Sequence, residues 1–258
     1  MLPRVAARGK SPLHDGLLNR IERLKVPQFH KLAELRSSGH TSTQVGYDFS
    51  TVFEGLVRRG EADVAIVSTE DGYSPLGISR QFFETQLGVS ASEEIQPLAS
   101  WNRSHNERVT LVAIPSQHPT SPLRGIILAP GSNTRSYERF ASSYGRPHRD
   151  FYYNITYEAI AYACLKWQCK KLAISHLCGS GKFHSSMAIC HAEALGHFCD
   201  EHPSAAPESF VFCGCCIDPS ELSDIQILNA ESGTTRHRPI KVETETRGSA
   251  SLLHLEFD

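Results

Sequence analysis

No stretch of this chain approaches the roughly 18 consecutive apolar residues that a membrane-spanning helix needs. The N-terminal segment MLPRVAARGKSPLHDG also lacks the apolar core of a secretory signal. Arg4, Arg8 and Lys10 leave an organelle presequence open, although Asp15 and the helical pattern after it fit a plain ragged terminus better. A dominant charge is missing as well: 26 Lys and Arg meet 28 Asp and Glu, a formal net charge of −2. No overall field therefore argues for nucleic acid or an anionic membrane as partner. The first half of the chain has no cysteine. Cys164, Cys169, Cys178, Cys190, Cys199, Cys213, Cys215 and Cys216 fall mostly inside predicted strands and helices. That pattern suits reduced, buried thiols in a cytoplasmic protein better than a disulfide framework, and the sequons at Asn102 and Asn154 are then chance matches. Paired C-x-x-C motifs, H-E-x-x-H and internal repeats are all missing. The region of His176, His184, Cys190, His191 and His197 is accordingly read as metal-free. Cys213-Gly214-Cys215-Cys216 is read as small packing residues before a turn, in preference to a reactive thiol. What is present is a 258-residue chain with 40% hydrophobic residues, enough for a real core in one large or two small domains.

The chain is organised around Leu172 to Phe198, LAISHLCGSGKFHSSMAICHAEALGHF. Leu172, Ala173, Ile174 and Leu177 lead into Gly179, Ser180 and Gly181, and helical spacing follows through Met187, Ile189, Ala194, Leu195 and Phe198. The pattern predicts strand, glycine turn, helix. A helix entered this way presents unpaired N–H groups at the positive end of its dipole, an anion site most often used for phosphate. Two glycines admit a ligand oxygen close to the backbone, Ser180 can donate a hydrogen bond, and Lys182 adds a full charge. The same turn also occurs in α/β proteins with nothing bound. A P-loop fails on spacing, because G-x-x-x-x-G-K-[ST] needs glycine at His176 and a hydroxyl residue at Phe183.

Elsewhere, Leu17, Leu18, Ile21, Leu24, Phe29, Leu32 and Leu35 recur at helical spacing, divided by Pro27. They predict two helices in an N-terminal extension over residues 1–50, with an extended piece from Val45 to Phe49. Val64 to Val67 reads as a buried parallel strand that runs into Ser68, Thr69, Glu70, Asp71 and Gly72, with Gly77 further on and a helix from Ser79 to Leu87. Carboxyl ends of neighbouring strands converge on the ligand crevice of an open α/β sheet, so this loop and the glycine turn are expected to share one ligand. Val109–Ile114 and Gly125–Ala129 predict an antiparallel pair. Residues 131–153 read either as an ordinary surface insertion or as a long covering loop whose Arg135, Arg139, Arg146, Arg149 and four tyrosines could clamp phosphates and stack on a base. Ile155 to Gln168 predicts an amphipathic helix, Ser209–Cys213 a buried strand, and Pro219–Asn229 a short helix. Residues 231–258 are polar, with a terminal edge strand over Ser251–Phe257.

The order of parts in residues 51–230 resembles the macro domain, an ADP-ribose-binding α/β/α fold. GEADVAIVS is similar to that family's DAIVN strand. YEAIAYACLKWQCKKLAISHLCGSGKFHSSMAICHAEALGHFCDEHP and ESFVFCGC are similar to its closing helix, strand, loop, helix and strand. In the family, a Ser/Thr-Gly followed after one residue by an aromatic holds the diphosphate and distal ribose, and Ser180-Gly181-Lys182-Phe183 fits that pattern. Family members with hydrolase activity carry asparagines and a triple glycine in the first loop, where this chain has Ser68-Thr69-Glu70-Asp71-Gly72 and Gly77. The acid that contacts adenine has no counterpart near Leu56 and Arg58.

The resemblance implies a three-layer α/β/α sandwich with a mixed central sheet. It implies binding of ADP-ribose or a related nucleotide diphosphate, free or on an ADP-ribosylated protein, through Thr69, Gly72, Gly77, Gly179, Ser180, Gly181, Lys182 and Phe183. Two alternatives stand beside it: a hydrolase of ADP-ribosyl or related phosphate derivatives, with Asp71 or His184 as candidate catalytic residues, and a catalytically silent interaction module. Asp71 equally suits plain Asp-Gly turn chemistry. No cofactor and no metal are implied.

Overall fold

The computed structural model describes residues 29–35, 43–48, 57, 60–69, 87–88, 109–131, 148–175, 185–213 and 241–257. Its strands are β1 (Phe29–Leu35), β2 (Thr43–Asp48), β3 (Val64–Thr69), β4 (Val109–Pro115), β5 (Gly125–Pro130), β6 (Lys171–Ser175), β7 (Ser209–Cys213), β8 (Lys241–Arg247) and β9 (Ala250–Glu256). Its two long helices are α1 (His148–Lys166) and α2 (Ser185–Glu201), and a 3-10 turn covers Pro203–Ala205. The strands form one mixed sheet in the order β1-β2-β7-β6-β3-β5-β4-β9-β8. β2, β7, β6, β3 and β5 run parallel, and β1, β4, β9 and β8 join antiparallel.

Alternation along each strand sorts the core onto two faces, as the two-residue period of a strand requires. Val64, Ile66, Leu111, Ile127, Leu172, Ile174, Phe210 and Phe212 meet α1 and α2 on one face. Ala65, Val67, Val112, Ile126, Leu128, Ala173 and Val211 lie on the other, with Val57 and Leu87, both at helical positions. β3 and β5 are buried throughout, which explains why their sequences read as unbroken apolar runs.

The strands expected at Val64–Val67, Val109–Ile114, Gly125–Ala129 and Ser209–Cys213 are present, and the β4/β5 pair is antiparallel as expected. Four details differ. Phe29–Leu35 is a strand, not helix, paired with β2. The segment expected to be loop through residue 153 already contains the first turns of α1. Tyr152 and Tyr153 are therefore buried core, at 0% and 1% exposure, and cannot serve as base-stacking groups on a loop. Finally, β9 is not an edge: it pairs with β4 on one side and β8 on the other, and β8 closes the sheet. The helices expected within residues 13–28, 79–86 and 219–229 lie outside the described residues.

α1 stops at a non-glycine residue in the left-handed region, Gln168 at φ 52°, and Cys169 N–H reaches back to the Ala163 carbonyl at 3.0 Å. Glycine is the usual occupant of that position because a Cβ is unfavourable there. Gln168→Gly should therefore raise stability by about 0.5–1 kcal/mol, read as an upward shift in the urea midpoint with an unchanged slope.

The amino edge of the central strands is tied by Asp63. Its carboxylate accepts from the Cys169 thiol and from the Lys170 and Lys171 N–H groups, each at 3.0 Å. Its backbone bonds Lys171 O at 2.8 Å and receives Arg124 N–H at 2.7 Å, joining the starts of β3, β6 and β5. Asp63→Ala takes the acceptor from three donors at once. We expect a loss of about 2–3 kcal/mol, measured by denaturant unfolding, while Asp63→Asn recovers part of it.

Cys164, Cys169, Cys190 and Cys199 are free and buried. Burial pushes the Cys169 thiol well above its ordinary range. Burial likewise raises Cys199 to about 11, although the Thr43 hydroxyl pulls the other way. Neither Cys169 nor Cys199 forms a thiolate near neutral pH, and the burial of all four agrees with the buried thiols expected from the sequence. Asn154 is 0% exposed inside α1, so its sequon is closed to modification in the folded chain.

Candidate functional site

The sheet changes direction of travel between β3 and β6. From β3 the chain goes to β4 and β5 on one side, and from β6 it passes through α2 to β7 on the other. The loops leaving the carboxyl ends of these two neighbours thus diverge, which is the geometry that opens a ligand crevice in α/β sheets.

Among the described residues, β3 and β6 pair through Val64↔Leu172, Ala65↔Ala173 and Ile66↔Ile174. β3 runs on through Val67, Ser68 and Thr69 against β5. β6 runs on to Ser175, opposite Cys213 of β7. The amino edge of the β3/β6 pair is closed by Asp63.

Thr69 is the last residue of β3 and is 1% exposed. Its hydroxyl donates to Ala129 O at 3.2 Å, and its carbonyl accepts from Gly131 N–H at 3.1 Å. These bonds make Thr69 the anchor from which the chain leaves β3. The glycine-containing segment lies between the end of β6 at Ser175 and the start of α2 at Ser185. Asp71, Gly72, Gly77, Gly179, Ser180, Gly181, Lys182, Phe183 and His184 lie outside the described residues. Of the candidate site residues, then, only Thr69 has a described side chain, while the strand ends carry both loops to adjacent positions. The arginine-rich segment leaves from Pro130 and Gly131, on the far side of β3.

Both long helices enter from this same edge, since α1 follows β5 and α2 follows β6. Their amino ends, with the positive pole of each dipole, are thereby on the crevice side. A polar layer between them holds their relative position. Thr156 Oγ1 meets His191 Nδ1 at 2.6 Å, Tyr153 OH meets His197 Nδ1 at 2.6 Å, and Tyr157 OH donates to Glu201 Oε2 at 2.5 Å. Sequence reasoning missed this layer. Its signal was Tyr153 and Tyr157 one helical turn apart, matched by His197 and Glu201 at the same spacing on α2. His191 and His197 are turned to these hydroxyls. Among the described residues, no group of three His, Cys, Asp or Glu is arranged to hold a metal ion.

No family model and no curated protein matches the sequence. Among solved structures, a mutant of the Oceanobacillus iheyensis macrodomain superposes with a TM-score of 0.51, at 10% sequence identity, over 80% of this chain and 95% of that one. The fold of the chain is similar to that of a macrodomain. A mutant of tomato leucine aminopeptidase overlaps more loosely, with a TM-score of 0.45 and 15% identity, over 77% of this chain and 38% of that one. The macrodomain likeness agrees with the expected α/β architecture.

Proposed function

We propose that this macrodomain-like chain binds ADP-ribose or a related nucleotide diphosphate in the crevice between β3 and β6. Gly179, Ser180, Gly181, Lys182 and Phe183 cradle the phosphates, and the loop that follows Thr69, with Gly72 and Gly77, forms the opposite wall. The observation that carries this reading is the adjacency of β3 and β6 at the point where the chain leaves to opposite sides of the sheet, so that the segments after Thr69 and after Ser175 start from neighbouring strands. Two helix amino ends on the crevice side add partial positive charge where a diphosphate would lie. Arg135, Arg139 and Arg146 are assigned to the cover. The chain is proposed to work in the cytoplasm, in keeping with its buried free thiols.

The test is calorimetric titration of the full chain with ADP-ribose, AMP and inorganic phosphate. ADP-ribose is expected to bind, with AMP and phosphate far weaker because each fills only part of the crevice. Heats indistinguishable from dilution with all three ligands would remove the nucleotide reading and leave a fold without this function.

A further inference from the structure

His191 stands where three elements meet near the carboxyl edge of the sheet. It lies on α2 at 1% exposure, and its Nδ1 is 2.6 Å from Thr156 Oγ1 of α1, a residue at 0% exposure. Its ring also lies against Phe212 of β7, with centroids 6.2 Å apart and planes tilted by 35°. Phe212 is the ladder partner of Ile174, and the next residue, Ser175, is the last of β6. The imidazole therefore joins α2 to α1 and to β7 at the level where β6 ends and the glycine-containing segment leaves.

Position along α2 sets this bond apart from the other two of the polar layer. His191 is six residues from Ser185, the start of α2, or about 9 Å along the axis. His197 is about 18 Å along, and Glu201, the last residue of the helix, about 24 Å. A helix of this length is stiff, so a tie near one end fixes that end and a tie at the far end does not. The Thr156–His191 bond is thus the one that places the amino end of α2, with the first-turn N–H groups that would face a phosphate. Burial on both sides holds the bond in place, because neither partner can exchange it for water.

We propose that Thr156 and His191 are positioning residues for the phosphate-binding end of α2, an inference that rests on the ADP-ribose reading of the crevice. Neither touches the ligand. Together they hold the helix end in its binding position before the ligand arrives. Such preorganisation is read in affinity, since a site that must first be ordered spends binding free energy on the ordering.

ADP-ribose is titrated calorimetrically into the full chain and three variants, well below every unfolding midpoint. Thr156→Val keeps the side-chain shape without the hydroxyl and should weaken binding at least fivefold. Thr156→Ser restores the hydroxyl and should bind within twofold of the wild type. Tyr157→Phe removes the bond to Glu201 at the other end of α2, and it should lower the thermal midpoint while leaving the affinity within twofold. Wild-type affinity in Thr156→Val, no recovery in Thr156→Ser, or equal losses in Thr156→Val and Tyr157→Phe would overturn the proposal, the last because the bonds would then serve stability alone. If the valine variant does not fold, the wild type decides. With its histidine ring nitrogens labelled, the His191 signals, assigned by their shift in Thr156→Ser, should move on saturation with ADP-ribose, and unmoved signals would overturn the proposal. A wild type that binds no ADP-ribose is a separate result, which removes the crevice reading itself and this inference with it.

Discussion

Phe198→Ala is expected to destabilise the folded chain by about 3–5 kcal/mol, lowering the thermal midpoint by roughly 10 °C for a domain of this size. The ring is 0% exposed in the layer between the helices and the sheet. It meets Tyr157 edge-on at 6.2 Å and His202 at 5.0 Å. Truncation leaves a void that neighbours cannot fill by a small shift. Tyr157 is fixed by its hydrogen bond to Glu201, and His202 by its N–H bond to the Phe198 carbonyl at 2.8 Å. Phe198→Leu should recover more than half of the loss, because most of the volume returns. Urea unfolding of the three proteins at matched slopes decides it, and a loss below about 1 kcal/mol for the alanine variant would mean that this layer is loosely packed.

Legibility followed local consistency. β3 was readable because Val64, Ala65, Ile66 and Val67 are β-branched or small and buried on both faces, so composition and burial agree. The β6-turn-α2 passage was readable because a short apolar run, a glycine pair and a helical period follow one another without overlap. β1 was misread because of its irregular register. The shift between Lys31 and Ala33 breaks the two-residue alternation, and Phe29, Leu32 and Leu35 are left at a spacing that imitates a helix. The start of α1 was hidden by Phe151-Tyr152-Tyr153, an aromatic run that favours strand locally, although Pro147 and Asp150 gave a helix start signal. The β8/β9 hairpin was announced by Gly248-Ser249, where Gly248 has φ +59° as the first of two turn residues, but the charged β8 looked like a polar tail. What no local pattern revealed was the adjacency of β3 and β6. It depends on which strands become neighbours, and their sequences are separated by the whole of β4, β5 and α1.

Gly181→Glu should abolish ADP-ribose binding while leaving the fold intact, and it is the substitution that most directly joins the glycine-containing segment to the proposed ligand. Glycine at this point lets a phosphate oxygen approach the backbone, and any side chain would occupy that space. Glutamate also brings a negative charge to a diphosphate. At about 4 Å and an effective dielectric near 20, one such pair of like charges costs about 4 kcal/mol, roughly a thousandfold in affinity. Gly181→Ala carries the steric part alone and should cost roughly tenfold to a hundredfold, so the difference between the two variants isolates the electrostatic part. That difference should narrow at high salt, whereas the alanine effect should not. The thermal midpoints of both variants without ligand should stay within a few degrees of the wild type, because position 181 lies between β6 and α2 and not within either element. If Gly181→Glu binds ADP-ribose as the wild type does, the phosphates lie elsewhere along the carboxyl edge and the cradle assignment fails. Should both variants bind equally poorly, the turn would be discriminating by shape alone, and the helix dipoles would carry no share of the recognition.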